Sequence, residues 1–81
     1  SLYSVPMQDR DEYSDYEFSQ ALRAYRNQPI QTSLQSNDPI VRMFAILDRR
    51  VGKRTLARLK DSIDEQPEWL RYLYTVRITE A

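Results

Sequence analysis

The sequence predicts an all-α fold, a small single-domain bundle of about four short helices with a flexible N-terminal arm. Apolar residues recur at helical spacing in four separate stretches. Residues that favour helix starts precede three of them, and the single glycine and three of the four prolines stand near their ends. With 81 residues and 41% hydrophobic content, the chain can bury one modest core. We therefore assign residues 1–13 to the arm and residues 14–81 to a single helical domain.

The first helix is expected over residues 14–28. Residues 1–13 show neither a helical nor a strand period, whereas Ser14 and Glu17 have the spacing of a capping box. Pro29 disfavours helical geometry in the residue before it, which sets the end of the helix. The apolar stripe between these limits consists of Phe18, Ala21, Leu22 and Tyr25.

The second helix is expected over residues 39–51. Asp38 can accept hydrogen bonds from the first backbone N–H groups, and Pro39 suits the first helical position. Gly52 is expected to end the helix in the left-handed conformation, which glycine adopts without steric penalty. The apolar stripe of this helix consists of Ile40, Phe44, Leu47 and Val51.

Two further helices are expected over residues 53–63 and 67–79. Pro67 marks the start of the second of them, as Pro39 does for the preceding helix. The last helix has an apolar arc of roughly 240°, wider than one face of a surface helix requires. Either this helix is central to the bundle, or another chain covers part of its surface.

Every helix is expected to contribute to the core. The polar segment 30–37 is compatible with a single helical turn that places Ile30 and Leu34 on the core. The residues expected to form the core itself are Phe18, Leu22, Tyr25, Ile40, Phe44, Leu47, Val51, Leu56, Leu59, Ile63, Trp69, Leu73 and Val76.

One ion pair is expected between two helices. At about 100° per residue, Asp48 falls inside the apolar stripe of the second helix, and Arg77 falls inside the apolar arc of the last helix. A buried carboxylate is costly unless it is paired, and a guanidinium is its best partner. The pair would fix the docking of these helices; alternatively, one of the two side chains reaches out to solvent.

Basic residues are concentrated between residues 49 and 60, where the predicted second and third helices are connected, and we call them the basic collar. Phosphate groups are bound by such clusters, so a nucleic acid or another anionic ligand could be recognised here. The alternative is that the cations favour the end of a helix. A helix-turn-helix is disfavoured, because Asp48 stands four residues before Gly52 and Lys53 directly follows it. The basic collar consists of Arg49, Arg50, Lys53, Arg54, Arg58 and Lys60.

The last helix also carries a candidate partner surface, made of Trp69, Tyr72, Tyr74 and Ile78. Aromatic residues are the usual anchors of protein interfaces. The alternative is that these side chains fill the core. The leading hypothesis for function is a non-catalytic protein-interaction module that associates with itself as a homodimer. The second hypothesis is a nucleic-acid or anionic-ligand accessory protein that uses the basic collar.

Composition argues against the other classes of function. The sequence has no cysteine and no histidine, so it lacks the commonest nucleophilic pairings and metal ligands. We therefore expect no enzyme, no cofactor and no metal site. Formal net charge is zero, so no overall field favours nucleic acid or a membrane surface. No apolar run has the length of a membrane span or resembles a signal peptide, and a cytoplasmic location is the expectation.

Overall fold

The structure, a computed structural model, describes residues 12–80, and in that range it contains helices and no strand. The predicted all-α class is confirmed. Residues 1–11 of the predicted arm lie outside the described residues. Within residues 12–80, no helix is both long and apolar enough to cross a membrane. The elements are α1 (Asp15–Arg26), α2 (Ile30–Leu34), α3 (Pro39–Leu47), α4 (Lys53–Leu59), a 3₁₀ helix (Lys60–Glu65) and α5 (Glu68–Glu80).

Two predicted helix starts are confirmed by their hydrogen bonds. The backbone N–H of Glu17 donates to Ser14 Oγ at 3.1 Å, and the backbone N–H of Ser14 donates to Glu17 Oε1 at 2.9 Å. These two bonds form the capping box of α1. At the start of α3, the backbone N–H of Ile40 donates to Asp38 Oδ1 at 2.8 Å, and Pro39 occupies the first turn. Local sequence signals thus fix where these helices begin.

Helix α3 is the central element of the fold, since it packs against α1, α2 and α5. The C-terminal ends of α1, α3 and α5 come together: the Tyr25 hydroxyl donates to Asp48, and the Arg77 guanidinium donates to the Ile46 carbonyl. A smaller cluster of buried residues lies on the α1 side of α3 and comprises Ala21, Ile40 and Val41. The larger cluster comprises Leu34, Ala45, Ile46, Val51, Leu56, Leu70 and Tyr74.

The end of α3 differs from the prediction. The helix stops at Leu47, and Asp48 is already extended, with φ −73° and ψ 124°. The Asp48 carboxylate accepts a hydrogen bond from the Arg50 backbone N–H at 2.9 Å, a local contact that competes with helix continuation. Gly52 has φ −95° and ψ −179° and precedes α4, so the expected left-handed cap is wrong. Val51 is buried by this turn and not by a helix face.

The helix predicted for residues 53–63 is also divided. α4 ends at Leu59, and the chain continues as a 3₁₀ helix to Glu65. Ser62 Oγ donates to the Leu59 carbonyl at 2.9 Å, which satisfies an acceptor at the point where α4 ends. In the segment 30–37, the single turn proposed from the sequence is present as α2, with Leu34 in the core.

The predicted core is right in part. Ile40, Val51 and Leu56 are buried, but Phe18 is 40% exposed and Leu47 is 47% exposed, so their placement in the core was wrong. Leu47 is the last residue of α3, and the buried surface of this helix lies on other positions, Val41, Ala45 and Ile46. The remaining predicted core residues are half-buried: Leu22, Tyr25, Phe44, Leu59, Ile63, Trp69, Leu73 and Val76.

Candidate functional site around a buried arginine

Arg42 is a charged residue inside the central helix. The nine residues of α3, PIVRMFAIL, contain this one charged side chain. A helix that is apolar on nearly every side is buried on nearly every side, and its one charge is carried inwards with it. Arg42 is accordingly only 7% exposed.

The guanidinium of Arg42 is held by neutral groups. Its Nε donates to Gln66 Oε1 at 2.9 Å, and its Nη1 donates to the Ser36 carbonyl at 2.8 Å. No hydrogen bond of good geometry joins Nη2 to a residue of the range 12–80, although the Tyr74 hydroxyl lies beside the guanidinium. No carboxylate in that range forms an ion pair with Arg42. Buried charges are ordinarily paired. Arg42 is therefore a buried cation without a counter-ion in the described structure.

Tyr74 on α5 is a second buried polar group with unused hydrogen-bonding capacity. The residue is fully buried, and its hydroxyl oxygen, shielded from water, has no hydrogen-bond partner within the described residues. Burial raises the pKa of the Tyr74 hydroxyl, and the neighbouring Arg42 side chain opposes that shift through its positive charge and its contact with the hydroxyl. The hydroxyl therefore stays protonated at neutral pH and can donate a hydrogen bond.

Arg42 and Tyr74 both line one cavity of about 430 Å³. Its rim is exposed and includes Arg58 of α4 and Glu65 of the 3₁₀ helix. The volume lies within the range of pockets that hold small molecules. The other lining residues are Gln31, Leu34, Gln35, Ser36, Thr55, Leu59, Ser62 and Gln66.

Gln66 fixes the wall of this cavity where the 3₁₀ helix meets α5. The residue is 8% exposed. Its side-chain oxygen accepts from Arg42, its backbone carbonyl accepts from Arg71 Nε at 2.9 Å, and its backbone N–H donates to the Ile63 carbonyl at 3.0 Å. The orientation of the Arg42 guanidinium is thus set by a well-anchored partner.

The predicted partner surface on the last helix is divided by the structure. Tyr72 is 71% exposed, whereas Trp69 and Ile78 are half-buried. Tyr74 is completely buried, so its assignment to an exposed surface is corrected: it belongs to the core and to the cavity. α5 is covered on the side that carries Leu70 and Tyr74, which explains part of its wide apolar arc.

Trp69 belongs to a row of aromatic rings that joins α1 to α5. The Tyr13 ring meets the Trp69 ring edge-on at a centroid distance of 5.7 Å and meets the Phe18 ring edge-on at 6.2 Å. We call Phe18, Tyr13 and Trp69 the aromatic row. Tyr13, assigned from the sequence to the arm, is half-buried against the smaller core cluster.

The six side chains of the basic collar are all exposed. Arg50 lies at 2.8 Å from the Asp48 carboxylate, and Arg58 donates to Thr55 Oγ1 at 3.3 Å while also lining the cavity. Lys53 and Arg54 lie at the N-terminal end of α4. The helix dipole favours cations at the C-terminal end of a helix, so it does not explain these two members of the collar. Phosphate binding by the collar stays a prediction.

The predicted pairing of Asp48 with Arg77 is corrected. The Asp48 carboxylate accepts from the Tyr25 hydroxyl and from the Arg50 side chain. Arg77 instead donates to backbone carbonyls, to Ile46 at 2.8 Å, to Val51 at 2.9 Å and to Asp48 at 3.3 Å. Arg77 therefore contacts residue 48 through its backbone carbonyl and not through its carboxylate. The reason is that α3 ends before Asp48, and the Asp48 side chain turns towards Tyr25 of α1.

The sequence pattern did not single out Arg42 or Gln66, and it left open whether Tyr74 fills the core or faces a partner. A signal for Arg42 was present, since a nearly continuous apolar helix with one charge predicts that the charge is enclosed. Gln66 carried no such signal, because a glutamine before a proline is common in exposed connections. The cavity itself depends on how α2, α4 and α5 are arranged around α3, which no local pattern encodes.

A family model for the SF0329 protein family matches residues 3–78. The match includes every residue that lines the cavity and reaches into the predicted N-terminal arm. No curated protein and no solved structure matches the chain. On the strength of that nearly full-length match, the chain belongs to the SF0329 protein family.

Proposed function

We propose that this chain is a non-catalytic binding domain that takes a small anionic ligand in the cavity beside Arg42 and Tyr74. The observation that carries the proposal is the enclosed guanidinium of Arg42, which is 7% exposed and pairs with no carboxylate of residues 12–80. An anionic ligand was also the second hypothesis from the sequence. We now place its binding site in the cavity and not on the basic collar.

Energetics favour an anion at this place. A charged group removed from water costs several kcal/mol unless other groups compensate. The two neutral acceptors, Gln66 Oε1 and the Ser36 carbonyl, compensate only in part. An anion bound against Arg42 would add a charge-assisted hydrogen bond, about twice as strong as a neutral one. Tyr74 would gain the partner that it lacks among the described residues.

The groups at the site favour binding over catalysis. Arginine stays charged at physiological pH, and burial keeps the Tyr74 hydroxyl protonated by raising its pKa. Neither group is available as a general base near neutral pH. The sequence has no histidine or cysteine that could take that role.

The test is a titration with sodium acetate at constant ionic strength, with sodium chloride as the balancing salt, followed by the backbone amide shifts of ¹⁵N-labelled protein. We expect saturable shifts at Arg42, Gln66 and Tyr74. Arg58→Gln should weaken acetate binding by roughly three- to tenfold, because a cation at the rim is lost. Arg54→Gln is the matched control on the same helix, with the same change of charge and no contact with the cavity, and it should leave affinity unchanged.

Two results would overturn the proposal. One is a shift that rises linearly with acetate and never saturates. The other is an equal loss of affinity in Arg58→Gln and Arg54→Gln, which would mean that acetate responds to surface charge in general.

Self-association, the leading hypothesis from the sequence, is a second candidate function on a different surface. Tyr72 is 71% exposed and lies three residues after Trp69 of the aromatic row, on the same side of α5. Phe18, at the other end of the row, is 40% exposed. Exposed aromatic residues next to half-buried ones are typical of interface centres, and a second copy of this chain would bury the same patch twice.

Light scattering after size exclusion tests this candidate across a concentration series. A dimer predicts a mass that rises from 9.7 kDa towards twice that value, and Tyr72→Ser should shift the midpoint to higher concentration. Tyr16→Ser is the control, since Tyr16 is equally exposed at 71% and has no ring contact with the aromatic row. A constant mass of 9.7 kDa at every concentration would exclude the dimer.

A further inference from the structure

The charges around the cavity restrict the kind of anion that it can hold. Arg42 and Arg58 contribute two positive charges to the lining, and Glu65 contributes one negative charge. The lining is therefore net positive by one charge. An anion of charge −1 would be neutralised, whereas a dianion would leave an excess negative charge next to Glu65 in a partly enclosed site.

The hydrogen-bond donors suit a carboxylate. Two donors that lie beside each other in the cavity lining, Arg42 Nη2 and the Tyr74 hydroxyl, have no acceptor of good geometry among the described residues. The Ser62 hydroxyl already donates to the Leu59 carbonyl. Two neighbouring donors match the two oxygens of a carboxylate.

The rest of the lining indicates what the body of the ligand must be. Gln31 and Gln35 of the α2 region place neutral amides at the rim, and Leu34 and Leu59 add apolar surface. An amide recognises another amide or a hydroxyl through paired hydrogen bonds. A cavity of about 430 Å³ accommodates a molecule of amino-acid size.

We infer, on the basis of the proposed function, that the ligand is a small monocarboxylic acid that also carries a neutral amide or hydroxyl group. The carboxylate lies against Arg42 and Tyr74, and the neutral group faces the rim amides of Gln31 and Gln35. The hydroxyl of Tyr74 is shielded from water in the free protein, so neighbouring side chains must move aside when the carboxylate enters. Arg58 contributes long-range attraction from the rim.

The test compares three probes by calorimetry at constant ionic strength: N-acetylglycine, N-acetylglycinamide and inorganic phosphate. N-acetylglycine and its amide differ only in the carboxylate. We expect N-acetylglycine to bind at least about tenfold more tightly than the amide, since a charge-assisted hydrogen bond is lost in the amide. Phosphate should also bind more weakly than N-acetylglycine.

A fourth probe, N-acetyl-tetraglycine, distinguishes a free acid from the end of a peptide chain. It should bind no more tightly than N-acetylglycine, because the cavity accommodates only the carboxylate and the nearest amide. Tighter binding by the longer chain would overturn the small-acid inference in favour of a chain terminus.

The remaining outcomes separate this inference from the proposed function. Binding of phosphate but not of N-acetylglycine would overturn the carboxylate and leave the anion site in place. Equal binding of N-acetylglycine and its amide would overturn both, since charge would then not be recognised. Binding of none of the four probes would overturn both as well.

Discussion

Asp48 shows how the position of a helix end decides the partners of a side chain. Its carboxylate accepts hydrogen bonds from the Arg50 side chain, the Tyr25 hydroxyl and the Arg50 backbone N–H. These bonds, the Arg50 side chain first, hold the pKa of Asp48 well below its ordinary value. The same contact raises the pKa of Tyr25, whose hydroxyl donates to the carboxylate. The sequence indicated that Asp48 is removed from solvent, and the residue is half-buried, but the prediction placed it on a helix face that does not extend that far.

Asp48→Asn should lower the free energy of unfolding at neutral pH by roughly 1–2 kcal/mol, because charge-assisted hydrogen bonds become weaker neutral ones. The difference should depend on pH. Since the pKa of Asp48 is lower in the folded state than the ordinary value of about 3.9, its stabilisation is complete above about pH 5 and is lost as the pH falls through the folded-state pKa. Urea unfolding of both proteins between pH 7 and pH 2 measures this.

The control for this prediction is Asp64→Asn, which changes an exposed carboxylate of the 3₁₀ helix. It should alter stability by less than about 0.5 kcal/mol at any pH. A gap between wild type and Asp48→Asn that stays constant down to pH 2 would show that the carboxylate charge does not stabilise the fold.

At the scale of elements, Arg77 joins α5 to the turn that follows α3. Its guanidinium donates to the carbonyls of Ile46, Asp48 and Val51. Carbonyls at the end of a helix lack partners within the helix, and a planar guanidinium with several donors can satisfy more than one of them. The sequence predicted that Arg77 meets Asp48, and the guanidinium does reach the backbone carbonyl of that residue. It could not show that backbone groups are the acceptors, because this depends on the course of residues 48–51.

Arg77→Met should lower the free energy of unfolding by about 2–3 kcal/mol, since it leaves the carbonyls of a half-buried turn without donors. Arg77→Lys should recover only part of this, because an ammonium is a compact charge that cannot match the planar fork of donors. Arg23→Met, at an exposed position of α1, is the control for loss of an arginine. Chemical denaturation measures all three, and an equal effect of Arg77→Met and Arg23→Met would contradict the assignment.

Gly52 gives a second prediction at this scale. Its backbone is extended, a Cβ at this position would meet no atom within 4 Å, and no side chain caps α4. Gly52→Ser should therefore raise the free energy of unfolding by about 0.5 kcal/mol, through a capping hydroxyl and a less flexible unfolded chain. A left-handed cap, as expected from the sequence, would give a loss of about 1 kcal/mol instead. Thermal unfolding distinguishes the two signs, with Gly52→Ala as the variant that lacks the capping oxygen.

Helix starts were predictable and helix ends were not, for a physical reason. The capping box at Ser14 and Glu17 and the cap at Asp38 are local contacts between residues two or three positions apart. The ends of α3 and α4 depend on competition between the helix and the hydrogen bonds of Asp48 and Ser62. The pattern of apolar residues does not reveal where α3 ends, because Val51 would be buried on a longer helix and is also buried by the turn that the structure shows.

At the scale of the whole molecule, the all-α class follows from the sequence, whereas the cavity does not. Helical spacing identifies which helices have an apolar face, but it does not show that α3 is the central one. The cavity arises where α2, α4, the 3₁₀ helix and α5 meet around Arg42. That arrangement brings Gln66 to Arg42 over a separation of 24 residues. Charge counting along the chain instead pointed to the basic collar.

The cavity also connects stability with function. A buried hydroxyl without a partner and a buried cation without a counter-ion both reduce the stability of the free protein. Such features are expected where a fold keeps groups available for a ligand. Replacing one of them should therefore stabilise the free protein and weaken ligand binding, a combination that a purely structural role does not give.

The most direct measurement is urea unfolding of wild type and Tyr74→Phe, each alone and with saturating N-acetylglycine. Without ligand, Tyr74→Phe should be more stable by roughly 1 kcal/mol, because it removes a hydroxyl that has no partner among residues 12–80. With ligand, wild type should gain more stability than the variant, since the ligand loses one hydrogen bond in Tyr74→Phe. A less stable Tyr74→Phe, or an equal gain from the ligand in both proteins, would contradict the assignment of Tyr74 to a ligand site.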